Sequence, residues 1–166
     1  KVRSYDELDA AIEAARAHDP KVLVEAAIVG REIECGVLEG EAGGAPEASV
    51  LAEVRVVSGH EFYDFEAKYL DDSCEFDIPA SLPEQVTRRV QELACRTFEA
   101  LECAGLARVD FFVTPELDIY LNEINTMPGF TPTSMFPRMW AASGLEYPKL
   151  VTRLVRSALR RGTGLH

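Results

Sequence analysis

The chain has 166 residues, with 28 Asp and Glu against 17 Lys and Arg, a net charge of −11 and 47% apolar residues; this length supports about one domain with a real core, and the composition excludes collagen-like, low-complexity and disordered classes. The acidic balance argues against a nucleic-acid partner, because phosphate binding needs a cationic face and the only basic stretch is Arg153, Arg156, Arg160 and Arg161. No apolar run approaches the roughly 20 residues of a bilayer crossing and KVRSYDEL is no signal peptide, so the expectation is a cytoplasmic protein with no membrane contact.

Ser4-Tyr5-Asp6-Glu7 has the form of a capping box, and Leu8, Ile12 and Ala15 follow at helical spacing until Asp19-Pro20, which predicts a helix over about 5–18. Apolar runs at 21–28 and 33–38, joined through Val29-Gly30-Arg31, predict strand, turn and strand. A surface turn is expected at 41–49 and a third strand at 50–57. Residues 58–80 lack periodicity and read as a long loop, of the kind that is usually functional or mobile. Ser81-Leu82-Pro83-Glu84 opens a second helix with Val86, Val90, Leu93, Ala94, Phe98 and Leu101 on one face, ending before Gly105. Two β-rich runs, 106–113 and 118–125, flank Thr114-Pro115-Glu116-Leu117 and predict a hairpin, so the sheet is at least partly antiparallel. Residues 126–144 are rich in Pro, Gly and Thr but too apolar for a solvated linker. Pro148 then opens a last helix carrying Leu150, Val151, Leu154, Val155 and Leu159.

Cys35, Cys74, Cys95 and Cys103 form no C-x-x-C pair, and the three histidines are scattered at 18, 60 and 166. Free thiols, mostly in core positions, are expected rather than a zinc site. Met127, Met135, Met139 and Trp140 are expected to pack under the preceding loop.

The hairpin carries the chemistry. Arg108 and Asp110, and likewise Glu123 and Asn125, are spaced i, i+2, so each pair shares a face of its strand. With an even number of loop residues Asp110 lies opposite Glu123 and Arg108 opposite Asn125, bringing four polar groups together. Two carboxylates and an amide oxygen are hard ligands of the kind Mg²⁺ prefers, and an arginine beside them would counter developing negative charge. The competing reading is a solvated amphipathic hairpin with Arg108 in ordinary ion pairs. Context favours chemistry: Thr126-Met127-Pro128-Gly129 follows directly, where a glycine lets backbone approach a ligand. Lys68, in the long loop, is a candidate phosphate contact. Glu25 and Glu32 flank the first turn, where an acidic side chain could accept from a ribose or an adenine amine. Ser134 lacks the partners of a nucleophile and is left with a binding role.

The motifs Val24-Glu25-x-x-Ile28-x-Gly30-x-Glu32, Phe62-Tyr63-Asp64-x-Glu66-Ala67-Lys68-Tyr69, Gly105-Leu106-Ala107-Arg108-Val109-Asp110-Phe111 and Asn122-Glu123-Ile124-Asn125-Thr126-Met127-Pro128-Gly129-Phe130-Thr131 resemble those of the ATP-grasp ligases. Within that superfamily the chain resembles the D-alanine:D-alanine ligase family, in an actinobacterial-type version, over nearly its whole length. The resemblance implies an α/β (α+β) ATP-grasp fold, a mainly antiparallel sheet flanked by helices with nucleotide between subdomains. It implies ATP-dependent joining of two D-alanines through an acyl-phosphate, for cell-wall precursors. Asp110, Glu123 and Asn125 match ligands of two Mg²⁺ ions, with Mn²⁺ as an alternative. Arg108 matches the arginine that stabilises the tetrahedral intermediate, Lys68 a phosphate contact, Glu25, Ala26 and Ile28 the adenine-contacting linker, and Glu32 the ribose contact. Phe62, Tyr63, Phe112 and Asn122 match the nucleotide pocket, and Gly129 and Ser134 the positions that hold the second D-alanine's carboxylate. Tyr69 stands where Tyr accompanies dipeptide-forming members and Phe some that form the D-alanyl-D-lactate ester. Ala26 replaces the family's basic residue.

The same resemblance implies residues 1–24 as the end of the central ATP-grasp subdomain and 25–166 as the carboxy-terminal subdomain. The family's amino-terminal domain has no counterpart here, so the chain reads as the carboxy-terminal half of a ligase, inactive alone and homodimeric when complete. The alternatives are a D-alanine:D-lactate ligase and a non-catalytic nucleotide-binding fragment.

Overall fold

The structure, a computed structural model, describes residues 1–56 and 74–161. Five antiparallel strands, β1 (Arg31–Leu38), β2 (Glu47–Val56), β3 (Cys74–Asp77), β4 (Leu106–Val113) and β5 (Ile119–Asn125), form one sheet in the order β3-β2-β1-β4-β5. The architecture is α+β, as the resemblance implies. Among the described residues four α-helices accompany the sheet: α1 (Leu8–Arg16), α2 (Glu84–Ala100), α3 (Met135–Ala142) and α4 (Tyr147–Arg161).

Strand alternation divides the sheet into two faces. Odd-numbered residues of two neighbouring inner strands, Ile33, Cys35 and Val37 on β1 and Ala107, Val109, Phe111 and Val113 on β4, form one apolar layer. Helix α2 lays Val86, Val90, Ala94 and Phe98 across it, a four-residue repeat that keeps these side chains on one stripe. On the opposite face α3 covers the other end of the sheet. Phe136 and Trp140 pack with Leu38, and Met135 and Met139 with Ala52, while Leu150 of α4 completes the cluster.

Gly36 lets α3 come this close, since a Cβ there would stand 2.9 Å from Trp140 Nε1 and 3.1 Å from Ser49 Oγ. The β1–β2 ladder slips by one residue at this point, between Cys35 and Val37. Two hydroxyls serve backbone groups there: Gly36 N–H donates to Ser49 Oγ (3.0 Å), and Val50 N–H donates to Ser143 Oγ (2.8 Å) at the end of α3.

Helix α4 is fastened to the strand ends through Glu39. Its Oε2 accepts from Gly105 N–H (2.7 Å), Ser157 Oγ (2.8 Å) and Arg161 (3.3 Å), while Arg153 donates to the Glu39 carbonyl (3.0 Å) and to Glu47. Burial alone would push the Glu39 carboxyl up, but the hydrogen bonds from Gly105 and Ser157 and the charges of Arg161 and Arg160 outweigh it and hold the group below its ordinary value.

Several predicted elements differ. The run 21–28 forms no strand: the described residues provide it no pairing partner, and Leu23 and Val24 lie exposed. A 3-10 turn (Tyr5–Glu7) precedes α1, and Glu7 accepts from Arg3 N–H rather than closing a box with Ser4, which makes no side-chain cap bond. Nor does any side chain cap α2, whose N-cap residue is Pro83. Strand β2 starts at Glu47, inside the predicted surface turn, and Ser49 is fully buried. The predicted loop 58–80 contains β3. The Pro- and Gly-rich stretch contains helix α3, which buries Met135, Met139 and Trp140 as expected, whereas Met127 is exposed.

Candidate functional site

The α2-opposed positions of β4 are even-numbered, so Arg108, Asp110 and Phe112 face away from the main core. Pairing across β4 and β5 sets Arg108 opposite Asn125 and Asp110 opposite Glu123, as the spacing predicts. The premise behind that expectation fails, however. The turn is a three-residue loop, 115–117, with Leu117 at φ 70° and Thr114 N–H donating to the Asp118 carbonyl (3.0 Å). An odd loop would send Glu123 to the α2 face. The ladder slips between Asp110 and Phe111, whose partners are Glu123 and Leu121, so Asn122 is an extra, bulged residue. This allows Ile119 and Ile124 to pack on the α2 core while Glu123 and Asn125 lie with Asp110 and Arg108.

Arg108 is the hub. Its Nε donates to Asp110 Oδ1 (2.8 Å) and a terminal nitrogen to Oδ2 (2.7 Å), a two-point guanidinium–carboxylate pair. Glu123 Oε1 lies 4.0 Å from the same guanidinium. On its other side β1 contributes Glu34, whose Oε1 lies 3.5 Å from Arg108 Nε and which stands directly opposite Asp110 in the β1–β4 ladder. Glu34, Arg108 and Asp110 are buried, while the Glu123 side chain is about half exposed. The cluster therefore runs from a buried floor on β1 and β4 to an open rim on β5.

Glu34 was not singled out in the sequence, although the i, i+2 rule that joined Arg108 to Asp110 links it equally to Glu32. The β1–β4 register also sets Glu32 opposite Phe112, so two residues matched to the nucleotide pocket are cross-strand neighbours, adjacent to Glu34 and Asp110. Asn122 is exposed at the bulge.

Beyond β5 the chain turns tightly. Asn125 Oδ1 accepts from Met127 N–H (3.0 Å). Ser134, the N-cap residue of α3, accepts from Thr131 N–H (3.1 Å) and shares a hydrogen bond with Thr131 Oγ1 (2.8 Å). A Cβ on Gly129 would sit 3.1 Å from Ser134 Oγ. The structure thus brings together Gly129 and Ser134, the two residues the motif assigns to one carboxylate.

Glu25 and Ala26 are exposed and Ile28 is half-buried, all in the irregular segment ahead of β1; Glu25 lines a shallow groove with residues 2–5, Leu8 and Val24. Phe62, Tyr63, Lys68 and Tyr69 lie outside the described residues. Cys35 is on the α2 face, where burial, then Cys95 and Asp110, push its thiol far up, so it remains protonated and unsuited to metal binding or nucleophilic attack.

Among the described residues, no group of three or more His, Cys, Asp or Glu is arranged to hold a metal ion. The expected set is of another kind, two carboxylates and an amide oxygen. Its donors suit a hard divalent cation, and Asp110 lies opposite Glu123 with Asn125 two residues on. A carboxylate oxygen can accept from more than one direction, so the Arg108 pair and a cation can share the Asp110 carboxylate. Among the described residues no helix is long and apolar enough to cross a membrane.

Residues 1–156 match the family model described as the D-ala D-ala ligase C-terminus. A curated D-alanine–D-alanine ligase of Frankia casuarinae is 63% identical over 165 residues, 99% of this chain but 43% of that protein. The solved D-alanine–D-alanine ligase of Coxiella burnetii superposes with a TM-score of 0.80 at 39% identity, covering 96% of this chain and 40% of that one. The D-alanine–D-alanine ligase of Bacillus anthracis complexed with ATP gives 0.78 at 29% identity, covering 96% and 48%. The chain thus spans less than half the length of the relatives it matches. Matched over nearly all its residues, it belongs to the D-alanine–D-alanine ligase C-terminus family.

Proposed function

We propose that this chain is the part of an ATP-dependent D-alanine:D-alanine ligase that carries the transition-state arginine and the cation-binding carboxylates. The observation that carries this reading is Arg108 in two-point contact with Asp110 and in register with Asn125, with Glu123 opposite Asp110. A guanidinium held by a carboxylate at the edge of an open rim is aimed and needs little reorganisation when negative charge develops beside it.

In the reaction, one D-alanine carboxylate takes the terminal phosphoryl group of ATP to form an acyl-phosphate and ADP. The amine of the second D-alanine then attacks the acyl carbon, and phosphate leaves. Arg108 balances the oxyanion of that tetrahedral intermediate. Gly129 and Ser134 hold the second D-alanine's carboxylate, which orients its amine. Glu32 accepts from the ribose, Phe112 and Asn122 border the nucleotide with Phe62 and Tyr63, and Glu25, Ala26 and Ile28 form the adenine-contacting linker. Lys68 contacts phosphate. Asp110, Glu123 and Asn125 would hold two Mg²⁺ ions, or Mn²⁺ in their place, which would supply charge neutralisation for the phosphates. Residues 1–24 then belong to the central subdomain and 25–166 to the carboxy-terminal one, in a cytoplasmic homodimer when complete.

The test is ADP release from Mg²⁺-ATP by the full-length protein. Stimulation by D-alanine with D-alanyl-D-alanine as product is expected; no stimulation would overturn the reading in favour of a nucleotide-binding fragment. Tyr69→Phe should shift product toward D-alanyl-D-lactate when both acceptors are offered, and an unchanged ratio would remove Tyr69 from acceptor choice.

A further inference from the structure

We infer that Glu34 is a positioning residue: it holds the Arg108 guanidinium from the β1 side so that Asp110 can share its carboxylate with a divalent cation. The inference rests on the proposed ligase reading and adds a residue that the motifs do not assign.

Two observations carry it. Glu34 stands directly opposite Asp110 in the ladder, on the face away from α2. It is 3% exposed, and its Oε1 lies 3.5 Å from Arg108 Nε, the same nitrogen that donates to Asp110 Oδ1. A carboxylate so deeply buried costs stability unless a positive charge answers it, and the Arg108 guanidinium lies beside it.

Asp110 is asked to do two things. It fixes Arg108 through both oxygens, and it is the proposed cation ligand. With Glu34 present the guanidinium has a second anchor, so a cation can draw on Asp110 without setting Arg108 loose. With Glu34 neutral, the β1 side no longer holds Arg108 and the site loses one negative charge. Both effects weaken cation binding, and both leave the arginine less well aimed.

The experiment uses the full-length protein as wild type, Glu34→Gln, Glu34→Asp and Glu53→Gln. Glu53 is a buried carboxylate on the other face of the sheet, paired through both oxygens with Arg31, and controls for the loss of a buried charge as such. Mn²⁺ is titrated in the presence of ADP with free Mn²⁺ read by electron paramagnetic resonance; kcat and the half-saturating Mg²⁺ concentration are measured alongside. Glu34→Gln should raise the Mn²⁺ dissociation constant roughly ten- to hundredfold, as loss of an outer-shell partner does, and lower kcat with little change in the KM for ATP. Glu34→Asp should recover most of the Mn²⁺ affinity. Glu53→Gln should lower the melting temperature and leave Mn²⁺ binding within twofold. Mn²⁺ affinity unchanged in Glu34→Gln, or weakened equally in Glu53→Gln, would overturn the inference. A wild-type protein that binds Mn²⁺ in a Glu34-dependent way but releases no ADP with D-alanine would overturn the ligase reading and leave this one standing.

Discussion

Adjacent residues of β4 lead opposite lives. Val109, Phe111 and Val113 go under α2 with Ile33, Cys35 and Val37, while Arg108 and Asp110, equally enclosed, face the other way beside Glu34. On the first face each large side chain removed from water contributes about 1.5–3 kcal/mol. On the second, burial costs energy that only mutual pairing offsets, so the charges contribute little net stability. Along this stretch of β1 and β4 the apolar side chains lie on one side and the buried charges on the other, and a step of one residue crosses between them.

The largest expected effect breaks the polar face. Asp110→Asn or Glu123→Gln in the full-length protein should abolish D-alanine-dependent ADP release, a loss of at least about 100-fold; near-normal turnover at saturating Mg²⁺ would remove these residues from the cation site. One position away, Phe111→Ala acts on the apolar face and should cost about 3–5 kcal/mol of unfolding free energy in urea. Gly36→Ala sharpens the contrast, because its new methyl group meets Trp140 Nε1 at 2.9 Å. A loss of about 1–3 kcal/mol is expected, read from the same urea transition.

The smallest effect lies outside both faces, at Glu39. Its carboxyl is held below the ordinary value of 4.5 in the folded protein, so the unfolded chain takes up its proton first as pH falls. The stability this group contributes is present above the ordinary value and disappears as pH drops through the lowered one. Glu39→Gln should therefore flatten the acid limb of melting temperature against pH and change little at neutral pH. An acid limb as steep as in the wild type would show that Glu39 does not carry it.

What the sequence disclosed was mostly local. The stripe on α2 and the partnership of residues 108, 110, 123 and 125 follow from helical and strand periods. Glu34 was hidden because its neighbour Asp110 is 76 residues away, and no local rule states which strand will lie beside β1. The run 21–28 misled because apolar, β-branched residues satisfy the strand pattern whether or not a partner strand exists. Helix α3 was obscured by its flanking Pro and Gly residues and by Pro137 in its first turn, a position a helix tolerates because the missing N–H would have no intrahelical acceptor.

The bulged residue at Asn122 also gives the hairpin slack. A turn shortened by one residue could be absorbed by losing the bulge, with Glu123 still meeting Asp110 and Asn125 still meeting Arg108, while residues 119–122 would each change face. Length variation at the tip is thereby insulated from the carboxylates of the cluster.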